Sequence, residues 1–202
     1  HTRELLEGMD IAIADGRVAY VGPDAAPAIG PATQVTEAQG RDMLPGLIDA
    51  HMHVESGMLT PAGFAAAVIP HGTTTMFHDP HEIANVLGLQ GVRLMRDESL
   101  LQPVSMFTQM PSCAPSAPGL ETTGSPISEG EVAQAMGWEG IIGLGEMMNF
   151  PGVVAGDGQM LAEIAATRAA GKTVGGHYAS PDLGRAFHAY VAGGANDDHE
   201  TT

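Results

Sequence analysis

The sequence predicts an α/β protein: a TIM-like (β/α) barrel, incomplete within these 202 residues, behind a small N-terminal β-sandwich portion. Three observations predict it. Six apolar or β-branched stretches recur after residue 43 at intervals of about 25 residues with helix signals between them, the spacing of parallel strands joined by right-handed crossovers. Residues 10–22 alternate instead in the manner of a hairpin. No glycine-rich phosphate loop follows the first strand of the alternating region, which disfavours a doubly wound open sheet, the other arrangement that the spacing allows. Residues 1–42 are therefore read as a partial β-sandwich element. Residues 43–202 are read as a barrel that stops after its sixth strand, and from the start at His1 and the stop just past that strand the chain is expected to be cut from a longer one.

In order along the chain, Asp15-Gly16 sits between two alternating runs, the chemistry of a two-residue type I′ turn. Residues 34–37 offer one further strand. Leu44 to His53 is the first barrel strand, and Thr60-Pro61 then gives an N-cap and a proline at the first helical position. Thr73 to His78 is the second strand. Asp79-Pro80-His81-Glu82 reads as an N-cap with a capping-box glutamate, opening a helix to about Asp97. Pro103 to Met110 is the third strand, followed by a long loop, residues 111–126, of the kind that is usually functional. Ser128-Glu129-Gly130-Glu131 is a second capping box. Ile141 to Glu146 is the fourth strand, residues 158–170 an amphipathic helix, Lys172 to His177 the fifth strand, Ser180-Pro181 the cap of a last helix, and Ala195 to His199 the sixth strand.

Composition narrows the function. Acidic residues outnumber basic ones 24 to 8, a formal net charge of −16, so nucleic acid and anionic membrane surfaces are poor partners. A small molecule that is not strongly anionic fits better. Cys113 is the single cysteine, which excludes an internal disulfide, and no apolar run is long enough to span a membrane. A cytoplasmic location is expected, and a homo-oligomer is compatible with all of this.

The chemistry collects at the strand ends. In an α/β barrel the active site lies at the C-terminal ends of the strands. Here the first strand ends in His51-Met52-His53, whose i and i+2 side chains share one face. The second ends in His78-Asp79, the fourth in Glu146, the fifth in His177 and the sixth in His199. Four of these histidines, His51, His53, His177 and His199, with the Glu146 carboxylate at one rim suit two divalent ions, Glu146 being able to join them through its two oxygens. Each residue alone has a plainer explanation, namely a solvated strand end. His81, Glu82 and Asn85 share the first turn of the second helix, where helix capping, a role in binding substrate and an extra metal contact are all open. Asp197, Asp198 and Glu200 offer hydrogen-bond partners to His199. His71 and His188 fall in helical contexts and read as structural.

The N-terminal hairpin followed by Pro45-Gly46-Leu47-Ile48-Asp49-Ala50-His51-Met52-His53 resembles the amidohydrolase superfamily. The blocks His71-Gly72-Thr73-Thr74-Thr75, Asp79-Pro80-His81-Glu82-Ile83-Ala84-Asn85-Val86, Pro111-Ser112-Cys113, Gly143-Leu144-Gly145-Glu146-Met147-Met148-Asn149-Phe150-Pro151-Gly152, Gly176-His177 and Asp198-His199-Glu200 are similar to the branch of that superfamily that deaminates adenine. The glutamate-centred block is the most specific, because many relatives carry a carboxylated lysine at that position. The resemblance implies hydrolysis of the purine base adenine to hypoxanthine and ammonia at a binuclear centre of manganese or iron, with zinc also compatible. By position, His51 and His53 would hold one ion, His177 and His199 the other, and Glu146 would be the bridging and catalytic carboxylate. The resemblance also implies two further barrel strands and a late aspartate that these residues lack. The 202-residue chain alone is accordingly expected to be inactive and poorly soluble, with open sheet edges.

Overall fold

The computed structural model describes residues 4–199, and the chain forms two compact units that divide at Leu44/Pro45. In the first, β1 (Asp10–Ala14) and β2 (Arg17–Gly22) pair antiparallel around Asp15 (φ 51°) and Gly16 (φ 70°), the two left-handed residues that a type I′ turn requires. Residues 34–37 form no strand, since no edge in this unit takes up their backbone groups.

The second unit is a curled parallel sheet with helices, an incomplete TIM-like barrel. Its strands are β3 (Leu47–Met52), β4 (Thr73–His78), β5 (Ser105–Met110), β6 (Ile141–Met147) and β7 (Thr173–Gly176), in that spatial order. Each neighbouring pair is parallel, and β3 and β7 are the outer strands. The helices are α1 (Pro61–Val68), α2 (His81–Leu87), α3 (Leu89–Ser99), α4 (Glu129–Ala135), α5 (Phe150–Ala155), α6 (Gly158–Ala169) and α7 (Arg185–Gly193). Two cores form. One joins β5, β6 and β7 to α4, α6 and α7 through residues such as Met110, Leu144, Val132 and Ile164; the other packs Met76 and Met106 against Val54, Ala65 and Met95. No helix among the described residues is long and apolar enough to cross a membrane.

Four local readings are corrected. The helix after β4 is two helices, because the chain passes through φ 58° at Gly88, where the Asn85 carbonyl is taken by the Gly124 amide of the long loop. Asp79 does not cap α2: no side chain does, and the Asp79 carboxylate goes elsewhere. Ser180-Pro181 does not start α7. Ser180 and Asp182 instead accept from the amides of Asp182 and Gly184, closing turns that delay the helix to Arg185.

The sixth strand at Ala195 to His199 is not formed either. Those residues run beside β7, but side-chain oxygens take most of the places that strand carbonyls would fill. Asn196 Oδ1 accepts from Val174 N–H (2.8 Å), Asp197 Oδ1 from Gly176 N–H (3.0 Å) and Asp198 Oδ1 from Tyr178 N–H (3.2 Å), leaving one backbone bond among the described residues, Asn196 N–H to Val174 O (2.8 Å). α5 was not foreseen. Its start is held by Asn149, whose side chain accepts from Gly152 N–H, with Pro151 in the first turn where its missing N–H costs nothing.

One buried group outside the site gives a pH prediction. Glu163 on α6 is 1% exposed; Gln159 donates to its Oε1, while Oε2 has no partner among the described residues. Burial, only partly offset by Gln159, pushes its carboxyl up to about 7. A carboxyl raised on folding contributes stability that is full below its unfolded value near 4.5 and is lost as pH rises through about 7. Glu163→Gln should therefore flatten the stability profile of the full-length protein between pH 5 and 8, and should stabilise it by about 1–3 kcal/mol at pH 8 relative to wild type. Thermal melts at the two pH values check this; parallel profiles would contradict it.

Candidate metal centre

Five imidazoles converge on one buried carboxylate. Glu146, near the C-terminal end of β6, is 2% exposed, and its Oε1 lies 3.2 Å from His53 Nε2, 3.7 Å from His51 Nε2 and 3.1 Å from His81 Nδ1. Its Oε2 lies 2.6 Å from His177 Nδ1 and 3.0 Å from His199 Nε2. The carboxylate is thus split, with the end of β3 on one oxygen and the β7 side on the other. Within each pair the ring nitrogens lie 3.1 Å apart, His51 Nε2 to His53 Nε2 and His177 Nδ1 to His199 Nε2. The His51 and His199 rings stack at 4.0 Å, closing the set.

Each side chain is placed by the backbone beneath it. His51 and His53 sit two apart at the end of β3, so both face the same way. His53 Nδ1 lies 2.8 Å from the Asp79 carbonyl, which can only accept, so Nδ1 carries a proton and Nε2 is the nitrogen turned toward Glu146. On the other side Tyr190 of α7, 1% exposed, accepts from His177 N–H and donates to Met147 O, each at 2.9 Å. Ser112, in the long loop, donates to the Glu146 carbonyl at 2.5 Å. Tyr190 and Ser112 were missed from sequence, because nothing local distinguishes a core tyrosine or a loop serine from one that holds a site.

The other expected residues separate. His81 joins the carboxylate, and its Nε2 is 3.7 Å from Glu82 Oε2, which is also 3.6 Å from His53 Nδ1. Ser56 donates to the second Glu82 oxygen. Asn85 is engaged with backbone: its amide donates to His81 O (3.0 Å) and Cys113 O (3.1 Å), tying α2 to the long loop. His78, at the end of β4, faces away from this set, with Nε2 within 3.0 Å of Ser99 Oγ and 2.9 Å of Thr108 Oγ1. Burial, with the neighbouring His53 charge, lowers it to about 4, a neutral core histidine. Glu200 lies outside the described residues.

The electrostatics favour positive charge at this spot. Burial opposes ionisation of Glu146, but bonds to His51, His53 and His81 overcome it and hold the carboxyl well below its usual range. Burial likewise opposes charge on His53, yet the Glu146 carboxylate and the Asp79 carbonyl push it up to about 9. His81 is raised in the same way, against burial, by Asp79, Cys113 and Glu146.

The donor set fits divalent ions. Among the described residues, three groups bring metal-type donor atoms together: His51, Glu146 and His199; His53, His81 and Glu82; and Asp79, His81 and Cys113. A carboxylate has about four lone-pair sites and cannot satisfy five imidazole N–H groups, nor can two imidazole lone pairs share 3.1 Å without a proton or cation between them. Two nitrogens bound to one ion at about 2.0–2.1 Å, with angles of about 90–110°, lie about 2.8–3.4 Å apart, which brackets the spacing of both pairs.

The chain is similar to known proteins along its length. The chain is 88% identical over 202 residues to the adenine deaminase of Paracoccus denitrificans, 66% identical over 202 residues to adenine deaminase 3 of Rhizobium meliloti, and 53% identical over 193 residues to the adenine deaminase of Moorella thermoacetica. These matches cover 100%, 100% and 96% of this chain but 34%, 34% and 32% of those proteins, so the chain spans about one third of the length of the curated relatives it matches. The model of the amidohydrolase family matches residues 43–202, a span that begins just before the unit carrying all five imidazoles and the carboxylate they surround. The chain belongs to the amidohydrolase family.

Proposed function

We propose that the full-length protein hydrolyses adenine to hypoxanthine and ammonia at a pair of divalent ions, manganese or iron, with zinc also suited to the donors. The observation that carries this reading is the division of Glu146: one oxygen toward His51 and His53, the other toward His177 and His199. The relatives named adenine deaminase supply the substrate. Divalent ions held there supply Lewis acidity that brings the pKa of water into the neutral range.

The chain's own residues do the rest. Glu146 and the four histidines hold the ions, with the buried carboxylate supplying negative charge between two cations that would otherwise repel each other. In the overall reaction a water oxygen becomes bonded to the carbon bearing the amino group, the carbon–nitrogen bond breaks, and the water protons end on hypoxanthine and ammonia. His81 and Glu82 border Glu146 and His53 and are the groups we assign to reading the purine ring, with Asn85 fixing the helix that carries them. Adenine is uncharged near neutral pH, so the acid-rich composition does not repel it. A purine base as substrate agrees with a cytoplasmic location.

The test is ammonia release by full-length protein loaded with Mn²⁺ across adenine, other aminopurines and cyclic amides. Adenine is expected to exceed the cyclic amides by at least about 100-fold in kcat/KM, because a site built to pair with ring nitrogens and an amino group leaves its polar groups unpaired with other substrates. A protein that ignores adenine and opens a cyclic amide would replace this reading with the other chemistry that the metal rim can serve.

A further inference from the structure

We propose that Asp79 is a positioning residue for Glu146, acting through a hydrogen bond from the Glu146 backbone amide. Asp79 follows β4, yet its carboxylate reaches past β5 to β6, where Oδ2 accepts from Glu146 N–H at 3.0 Å. Asp79 is 0% exposed. A buried carboxylate is costly to keep where apolar packing would serve, so its position calls for a use.

Three features show that the contact is built rather than incidental. The residue before Glu146 is Gly145, and a methyl group there would collide with the Asp79 carboxylate, lying 2.6 Å from its Cγ; the three nearest atoms to that methyl all belong to Asp79. Only glycine at 145 lets the carboxylate reach the Glu146 amide. The main chain of Asp79 is fixed as well: its N–H donates to Met52 O (3.1 Å) and its carbonyl receives His53 Nδ1–H (2.8 Å). One residue therefore anchors the Nδ1–H of the histidine just past β3 and the backbone of the carboxylate on β6. Ser112 holds the Glu146 carbonyl from the opposite side of the residue, so the peptide groups on either side of the Glu146 Cα are both gripped by side chains.

The consequence is a fixed direction for the Glu146 side chain. Its oxygens serve two histidine pairs at 2.6–3.7 Å, and a rotation of the backbone at 146 would move both oxygens off their partners together. Residues that orient metal ligands in this way typically affect metal affinity or activity about 10–100-fold. The inference rests on the reading of Glu146 as the carboxylate joining two ions.

The test uses full-length protein, with Mn²⁺ affinity measured by competition against a chromogenic chelator alongside kcat and KM for adenine. Asp79→Ala is expected to weaken Mn²⁺ binding about 10–100-fold and to lower kcat while KM stays within about threefold. Asp79→Asn keeps an acceptor for the Glu146 amide and should restore affinity to within about fivefold of wild type. Gly145→Ala should reproduce the Asp79→Ala defect, and in an Asp79→Ala background it should add nothing further, because the atoms it would strike are gone. If Asp79→Ala fails to fold, Asp79→Asn and Gly145→Ala carry the test between them: retained affinity in the first with loss in the second supports the proposal. Folded Asp79→Ala protein with unchanged affinity, Asp79→Asn as weak as Asp79→Ala, or additive losses in the double variant would overturn it. Wild-type protein that takes up fewer than two ions would instead remove the bridging role of Glu146 on which the proposal stands.

Discussion

Glu146→Gln in the full-length protein is expected to bind at most one divalent ion and to lose roughly 10³-fold in turnover. The glutamine keeps one oxygen but replaces the other with an NH₂, a donor with no lone pair to offer. Whichever way the amide turns, one histidine pair faces that NH₂, either His51 and His53 or His177 and His199. The negative charge proposed to offset the two cations is also removed. Metal-ion catalysis supplies several kcal/mol, and each 1.36 kcal/mol is tenfold in rate, which sets the expected loss at about three orders of magnitude. Metal content by mass spectrometry and adenine turnover check the two halves separately. Full occupancy by two ions in the variant would contradict the assignment.

Gly176→Ala should cost about 100-fold in turnover through the other half of the site. A methyl group at 176 would collide with the Asp197 carbonyl and lie 3.3 Å from the Tyr190 hydroxyl. Asp197 belongs to the run that ends in His199, and that run is clipped to β7 and its continuation through the Asp197 and Asp198 side chains. Pushing it outward takes His199 from its place 3.0 Å from Glu146 Oε2. Displacements of about 1 Å near a reacting centre cost about 10²-fold, and overpacking of this kind costs about 1–3 kcal/mol of stability. Gly175→Ala is the control, since its nearest neighbours, Gln109 Nε2 and Leu144 O, lie at 3.3 Å and need move only slightly. Equal activity of Gly176→Ala and wild type would show that the Asp197–His199 run is not held in the way described.

What could be read from sequence was local or periodic. The Asp15-Gly16 turn and the Ser128 capping box are set by a few neighbouring residues, and both stand as expected. The five strands of the sheet follow from runs of apolar and β-branched residues, and their common polarity places His51, His53, Glu146 and His177 at one end. Where the reading failed, a distant partner had taken a local signal. Asp79-Pro80-His81-Glu82 is a sound helix-start pattern, but the amide that claims Asp79 is 67 residues away on Glu146. The run from Ala195 carries a strand-like pattern, yet Asn196, Asp197 and Asp198 answer the β7 amides with side chains and so displace the ladder. His78 shares a strand end with the site residues and still faces Ser99 and Thr108, because alternation along β4 turns it to the opposite side. The approach of His81 to Glu146 was open from its helix position but could not be separated from capping without the fold.

The most direct test of the binuclear reading is anomalous diffraction from crystals of the full-length protein grown with Mn²⁺. Two peaks are predicted, one between Glu146 Oε1 and the His51 and His53 rings, the other between Glu146 Oε2 and the His177 and His199 rings. A single peak, or peaks that leave either Glu146 oxygen without an ion, would contradict it.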